Sequence, residues 1–317
     1  MTIKIIQYNK NRKKEWNDFL NKSKYQHFFF NRNYIDSNKK LNDYSLMFYK
    51  KGDLYAIMPA NLDQQKKKLL SHQGLSFAGI IKSKKCKVFD TLDIFKELIL
   101  FAKRNSIFQI NYKLIPFIYS LNQNEDDKIA LNYFGFKIKS CEVSSYINLK
   151  SEIKFSSRKK RNIKKFEKVK DNFVISSEKK YLRKFWKIVE EVLLSHNVKP
   201  THTYNEIKWL FKKFPKNVKL FVLLDKLKLE AISGVVIFEN DDVVHTQYIA
   251  STKYGKDIGS NDFLISYLIN NYKKKIFFSF GRSTDEMYEY KINKGLLVSK
   301  EEFGASCNTL ETYILKL

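Results

Sequence analysis

One pattern of residues occurs twice in this chain. Ser45-Leu-Met-Phe-Tyr-Lys50, a turn at Lys51-Gly52-Asp53 and Tyr55-Ala-Ile-Met-Pro-Ala-Asn61 return as Leu220-Phe-Val-Leu-Leu-Asp225, a turn and Glu230-Ala-Ile-Ser-Gly-Val-Val-Ile-Phe238. In this alignment Ala56 matches Ala231 and Pro59 matches Gly234. Each copy is a pair of apolar, β-branched and aromatic runs around turn residues, which predicts a β-hairpin. The two halves also end alike. Asn132-Tyr-Phe-Gly-Phe136 precedes Ser145-Tyr-Ile-Asn-Leu149, and Asn293-Lys-Gly-Leu296 precedes Glu311-Thr-Tyr-Ile-Leu315. The offset of about 160 to 175 residues is too long for a solenoid repeat. It predicts two tandem copies of one α/β (α+β) unit, each a mixed central sheet flanked by helices, divided as 1–150 and 151–317. Two unrelated α/β domains that both carry hairpins are the competing reading.

A length of 317 residues allows two such cores. With 44% hydrophobic residues and only 4 Pro and 10 Gly, both units are expected to be globular throughout. In the first, an amphipathic helix carries Trp16, Phe19 and Leu20, and a second helix spans Thr91–Arg104 with Asp90 or Thr91 as N-cap. A strand over 107–115, a short helix near Asp126–Tyr133 and two more strands ending at Leu149 complete it. In the second, helices are predicted at Ser157–Lys170, Lys179–Ser195 and Tyr204–Phe214, the last opened by the capping-box pattern Thr203-x-x-Glu206.

Cys86, Cys141 and Cys307 are an odd number, widely spaced, with no metal-site pattern, so reduced thiols and no metal are expected. The apolar stretch at Ile3, Ile5 and Ile6 is too short for a signal peptide, and no run of residues is long enough to span a membrane. A cytoplasmic protein is expected, with peripheral contact at the inner face of an anionic membrane as a further expectation. The formal charge of +26 attracts phosphates, nucleic acids and anionic lipid. Of 59 basic residues only 7 are Arg, and the Lys are scattered, which an AT-rich coding sequence also produces.

The most informative segment is the strand His245-Thr-Gln-Tyr-Ile-Ala-Ser-Thr252, the loop Lys253-Tyr-Gly-Lys-Asp-Ile-Gly-Ser260 and a helix over Asn261–Tyr272. A strand, a glycine-bearing loop and a helix N-terminus present unpaired backbone N–H groups to an anion. The order resembles the acyl-CoA pyrophosphate loop of GNAT acyltransferases. Tyr254 stands where that family has a basic or amide residue, Asp257 replaces the first glycine, and Gly259 matches. The pattern resembles the FemAB-like branch, in which tandem GNAT domains transfer acyl or aminoacyl groups and the CoA site is not always kept. What the resemblance implies here is donor contact by Tyr248, Lys256, Gly259 and Ser260, with acyl-CoA as donor and aminoacyl-tRNA as the alternative.

Three other segments resemble the same branch. Ser156-Ser-Arg-Lys-Lys-Arg-Asn-Ile-Lys-Lys-Phe166 resembles its basic helix, with Ile163, Phe166 and Val169 as core and Arg158, Lys159, Arg161, Lys164 and Lys165 on a charged face. Ser71-His-Gln-Gly-Leu-Ser-Phe-Ala-Gly79 resembles a loop found with surface-polysaccharide synthesis, in which two glycines admit a ligand and His72 is a candidate base beside Ser71, Gln73 and Gly74. Phe280-Gly-Arg-Ser-Thr-Asp285, Tyr290-Lys-Ile-Asn-Lys-Gly-Leu296 and Lys300-Glu-Glu-Phe-Gly304 resemble the C-terminal signature. There Arg282, Ser283 and Asp285 fall at the carboxyl end of a strand, the ligand side of an open sheet, with Asn293 and Lys300 nearby. A surface ion pair of Lys300 with Glu301 is the plainer alternative.

Direct acyl transfer to an amine needs a proton acceptor and an oxyanion stabiliser but no covalent nucleophile, so the lack of a nucleophile elbow fits. The acceptor candidates are His72, His245 and Asp285, in a site expected between the two copies. The resemblance implies acylation of the amino group of a nucleotide- or lipid-linked sugar in cell-surface polysaccharide synthesis. The alternatives are tRNA-dependent aminoacyl transfer to a peptidoglycan precursor and a non-catalytic nucleic-acid-binding protein.

Overall fold

The computed structural model describes residues 3–37, 41–120, 124–285 and 289–317. Its contacts divide the chain into two units, Met1–Val143 with Thr309–Leu317, and Ser144–Asn308. The last nine residues therefore pack with the first unit, where the sequence reading had kept all of 151–317 together. Nothing in the sequence of a terminal strand records which sheet edge it will join.

The first unit opens with β1 (Ile3–Gln7), α1 (Lys13–Leu20) and α2 (Arg32–Ile35), followed by β2 (Leu46–Lys50) and β3 (Asp53–Met58). Ile3, Ile5 and Ile6 belong to an edge strand paired antiparallel with β2. Lys51 and Gly52 both take positive φ, as the mirror-image turn of a two-residue hairpin requires. Pro59 then separates β3 from β4 (Ala60–Asp63), and the two strands lie in different sheets. A residue without an N–H cannot continue a ladder on both sides. β5 (Lys68–Ser71), β6 (Ile81–Lys82), α3 (Val88–Arg104), β7 (Gln109–Lys113), α4 (Asp126–Tyr133) and the long β8 (Lys137–Asn148) follow. α3 buries Ile94, Phe95, Leu98 and Ala102, as its spacing predicts. It starts earlier than expected, because Lys87 is the N-cap and the Asp90 carboxylate reaches back to the Lys87 N–H at 2.9 Å. Lys82 is fully buried and donates to Asp126 and Asp127, tying β6 to the start of α4.

The second unit contains α5 (Ser157–Glu167), β9 (Phe173–Ser176), α6 (Leu182–Leu194), α7 (Tyr204–Lys213), β10 (Val218–Asp225), β11 (Ala231–Glu239) and β12 (Val243–Ser251). After these come α8 (Lys253–Asp257), α9 (Ser260–Asn271), β13 (Phe277–Arg282), α10 (Lys294–Glu301) and β14 (Ser306–Lys316), whose last residues return to the first unit. The capping box of Thr203 and Glu206 forms as read. Segment 253–257, expected as loop, is the single-turn helix α8, capped by the Thr252 hydroxyl on the Gly255 N–H at 3.0 Å.

Each unit repeats the same device. β5 and β7 are parallel partners joined through α3, and β12 and β13 are parallel partners joined through α9, with antiparallel strands beside each pair. Parallel neighbours require a crossover of this kind, which fixes one helix against each sheet. In the second unit α9 buries Leu264, Ile265, Leu268 and Ile269 against Val235, Ile237, Val244 and Phe278. Among the described residues no helix is long and apolar enough to cross a membrane.

Candidate active site

β12 and β13 pair over three positions only, from Val243 opposite Phe277 to His245 opposite Ser279, although β12 continues to Ser251 and β13 to Arg282. Their carboxyl ends are thus unpaired with each other, on the side where open α/β sheets take ligands. On its other edge β12 carries a bulge. Tyr248 lies opposite Val236 and Thr246 opposite Ile237, so Gln247 is an extra residue. In a regular strand His245 and Tyr248, three apart, point to opposite faces. The bulge sets them opposite Phe238 and Val236, which are two apart on β11, and so places both on one face.

His245 is half-buried, with its Nδ1 3.1 Å from the Ser279 hydroxyl, which accepts the Gly281 N–H at 3.2 Å. Gly281 has a φ of +69°, and a Cβ there would stand 2.8 Å from His245 Cε1. A glycine is required for the ring to lie against the strand. Burial, and then the charge of Lys300, push His245 down to about 4, while a hydrogen bond with Gln247 acts in the opposite sense. The imidazole is therefore neutral near pH 7. Gln247 also hydrogen-bonds Tyr248. The Tyr248 hydroxyl accepts the His202 backbone N–H at 3.1 Å and lies 2.8 Å from His202 Nδ1. Burial lowers His202 and raises Tyr248, so both are neutral.

Lys300 closes the other end. Asn293 caps α10 by accepting the Leu296 N–H at 3.0 Å, and its own N–H bonds the Ser283 carbonyl at 2.8 Å. That seats α10 against the end of β13. Lys300, only 6% exposed, donates to the Gly281 carbonyl at 3.0 Å, the Arg282 carbonyl at 2.7 Å and the Ser283 hydroxyl at 2.8 Å. The alternative of a surface pair with Glu301 is not what forms. Among the described residues no carboxylate pairs with this amine, and burial lowers it to about 7. The Arg282 side chain is exposed at the same strand end, and Asp285 is half-buried with its N–H on the Lys291 carbonyl at 2.8 Å.

The expected anion turn looks different. Lys256 is exposed, but Gly259 and Ser260 are buried, and a Cβ on Gly259, whose φ is +82°, would stand 2.3 Å from the Asn162 carbonyl of α5. Lys159, placed on a charged face by its spacing, is buried instead and donates to Asp262 at 2.7 Å, while Asn162 donates to the same carboxylate at 2.8 Å. α5 covers the first turn of α9, so neither Gly259 nor Ser260 is accessible to a pyrophosphate. The glycine serves helix packing. Gly259→Ala is expected to destabilise the protein by about 2 to 4 kcal/mol, combining left-handed backbone strain with overpacking. Urea unfolding measures it, and a loss within about 0.5 kcal/mol would show that α5 is not seated there.

The remaining candidates lie in the first unit. Ser71 and His72 are buried at the end of β5, and Gln73 and Gly74 are exposed in the turn that the Leu75 N–H closes on the His72 carbonyl at 3.1 Å. Burial pushes His72 down to about 4. Gly79, expected to admit a ligand, admits Tyr112, whose hydroxyl would lie 2.9 Å from a Cβ there. Sequence reading did not single out Gln247, Ser279 or His202. A bulge leaves no mark in a strand's alternation, and His202 sits in the segment between α6 and α7 with no pattern around it.

No family model and no curated protein matches the sequence. Solved structures do. FemX superposes with a TM-score of 0.69 over 99% of this chain and 97% of its own, at 10% identity. The C-terminal domain of a putative lysylphosphatidylglycerol synthetase from Agrobacterium fabrum gives 0.63 over 97% and 92%, at 11% identity. A tandem GNAT protein from the clavulanic acid biosynthesis pathway gives 0.50 over 99% and 98%, at 6% identity. At such identities the likeness is one of fold, and it extends over both units. The chain has the tandem GNAT-like fold that it shares with these structures, as its internal repeat and its C-terminal signature led one to expect.

Proposed function

We propose that this protein is a transferase that passes an acyl group, acetyl or aminoacyl, to an amino group of a sugar intermediate in cell-surface polysaccharide synthesis. The observation that carries the reading is the bulge in β12, which holds two neutral proton-bearing groups, His245 and Tyr248, on one face beside the unpaired ends of two parallel strands. The amine attacks the donor carbonyl, His245 takes the proton the amine loses, and Tyr248 returns one to the departing atom, with His202 holding its hydroxyl in place. A bulge leaves its extra residue out of the ladder, so in this reading the Gln247 N–H is the donor for the oxyanion. Arg282, exposed at the end of β13, suits a phosphate on the acceptor.

The covered N-terminus of α9 favours a donor that needs no diphosphate site there, which is an aminoacyl ester rather than acyl-CoA. The +26 charge suits charged tRNA as its carrier and an anionic, nucleotide- or lipid-linked acceptor. FemX and lysylphosphatidylglycerol synthetase among the fold neighbours support an envelope role. The deciding measurement incubates the protein with labelled acetyl-CoA or labelled aminoacyl-tRNA against nucleotide-linked amino sugars. Transfer from aminoacyl-tRNA is expected, transfer from acetyl-CoA alone would overturn the donor assignment, and transfer from neither would overturn the proposal.

A further inference from the structure

The turn between β10 and β11, from Asp225 to Glu230, sets two leucines in solvent on a fixed backbone. One Asp225 carboxylate oxygen accepts the N–H groups of Leu227 and Lys228, each at 2.9 Å, and the Asp225 carbonyl accepts that of Leu229 at 2.9 Å. From outside the turn, the Asn172 carbonyl accepts the Lys226 N–H at 2.9 Å, and Lys184 of α6 donates to the Leu229 carbonyl at 2.8 Å. Leu227 is nevertheless 95% exposed and Leu229 44%. Leu229 also takes a φ of +52°, where glycine or asparagine would be less strained. A turn bonded in this way needs neither leucine for its fold.

What surrounds the leucines is apolar and basic. Thr252, after β12, donates its N–H to the Ile232 carbonyl at 2.9 Å, and a Cβ on Gly255 of α8 would stand 2.5 Å from the same oxygen. That seats α8 at the foot of the turn, with its Tyr254 56% exposed. Lys226 and Lys228 flank Leu227, Lys253 and Lys256 lie on either side of Tyr254, and Lys168 and Lys170 precede Asn172, all of them exposed. The exposed carboxylates of these segments are Asp171, Glu230 and Asp257, half as many. The register places this surface. Ser233 of β11 lies opposite Ser251 of β12, so the turn that opens β11 stands at the carboxyl end of β12, where β12 and β13 part.

We propose that this surface docks on a bilayer of anionic phospholipid, with Leu227 entering the acyl layer. Lysines beside an apolar tip suit that partner, because their stems lie along the acyl boundary while their ammonium groups reach the phosphates. An RNA strand would use the lysines and leave the leucines in water. One consequence rests on the transferase reading: a docked sheet end serves a lipid-linked acceptor and not a nucleotide-linked one.

Co-sedimentation of the full chain with vesicles of phosphatidylglycerol and phosphatidylcholine tests it at physiological ionic strength, where scattered surface charge is screened. Vesicles of phosphatidylcholine alone are the control. Leu227→Ser changes an exposed side chain and is expected to weaken binding at least about tenfold. Changing Lys226 and Lys228 together to Glu is expected to do at least as much. Leu194→Ser removes a leucine that is 71% exposed but ten residues, about 15 Å, further along α6 than Lys184, and is expected to leave binding unaltered. Leu227→Trp is expected to shift tryptophan emission to the blue on the anionic vesicles, against a wild type whose own tryptophans are buried or half-buried. Binding to anionic vesicles that Leu227→Ser weakens and Leu194→Ser does not, with the blue shift, supports the surface. No binding to them, binding that ignores Leu227→Ser, or equal weakening by Leu194→Ser overturns it. None of these measurements involves turnover, so a chain that binds vesicles and transfers nothing keeps the surface and loses the transferase reading.

Discussion

Lys300→Met is expected to cost about 2 kcal/mol of folding stability near neutral pH, with a gap to wild type that widens as the pH rises. The amine satisfies two backbone carbonyls and one hydroxyl at the end of β13. Each acceptor left without a donor costs about 1 to 3 kcal/mol, and removal of a poorly solvated charge returns part of that sum. Burial holds the folded amine at about 7, against 10.5 for an unperturbed lysine. Between those values the unfolded chain binds a proton that the folded chain does not, so stability rises with pH by about 1.4 kcal/mol per unit. Below about 7 the amine is charged in both states and contributes no slope. The methionine variant lacks this term. Urea unfolding of both proteins across the range measures the difference, and parallel profiles would show that the amine is not buried as described. Transfer is expected to fall with stability, because the Gly281 and Arg282 carbonyls that Lys300 fixes support the strand on which His245 rests.

How much of this was legible before the structure depended on how local its cause is. The hairpin around Lys51-Gly52 and the capping box at Thr203 were legible, because a positive φ and a capped N–H involve residues a few positions apart. α4 runs over Asp126–Tyr133 as read. The start of α3 was misplaced because Asp, which suits the N-cap, serves equally well at the third helical position, where it reaches back to the cap. The helical spacing puts Lys159 on a charged surface face, and a surface pair with Glu301 is the plainer alternative for Lys300, because a helical wheel knows nothing of what packs across it. Asp262 lies 103 positions from the first, and Gly281 lies 19 from the second. His245, Tyr248 and Lys300 were singled out on segment resemblance, and the structure brings them into one network. It needs Gln247, Ser279 and His202 to do so, and those follow from a register shift that only pairing reveals. The glycines are the opposite lesson. Gly79 and Gly259 looked like ligand contacts, yet what each makes room for is another part of the protein, Tyr112 and Asn162.

His245→Ala is expected to lower transfer at least about a hundredfold while the protein stays folded, the loss typical of a removed general base. The ring is half-buried and its main neighbours are small, Ser279 and Gly281, so truncation opens space at the strand ends without emptying the core. Gly281→Ala makes the complementary change. It keeps the imidazole but sets a methyl 2.8 Å from Cε1 on a backbone of positive φ, so the ring must swing away from Ser279. If the position of His245 matters, the two variants lose activity alike, although only one lacks the base. Acid titration separates them without any substrate. Wild-type His245 stays neutral down to about 4, below the 6.5 of the unfolded chain, so the stability it contributes is full above 6.5 and is lost as the pH falls through 4. His245→Ala is expected to remove that share of the acid dependence, leaving the share due to His72, which is lowered to the same range. Gly281→Ala, by moving the ring toward solvent, is expected to remove it too. An acid profile unchanged in both variants would mean that the ring is not buried against β13. An unchanged transfer rate in His245→Ala would assign the proton to another group and leave the network around it a structural one.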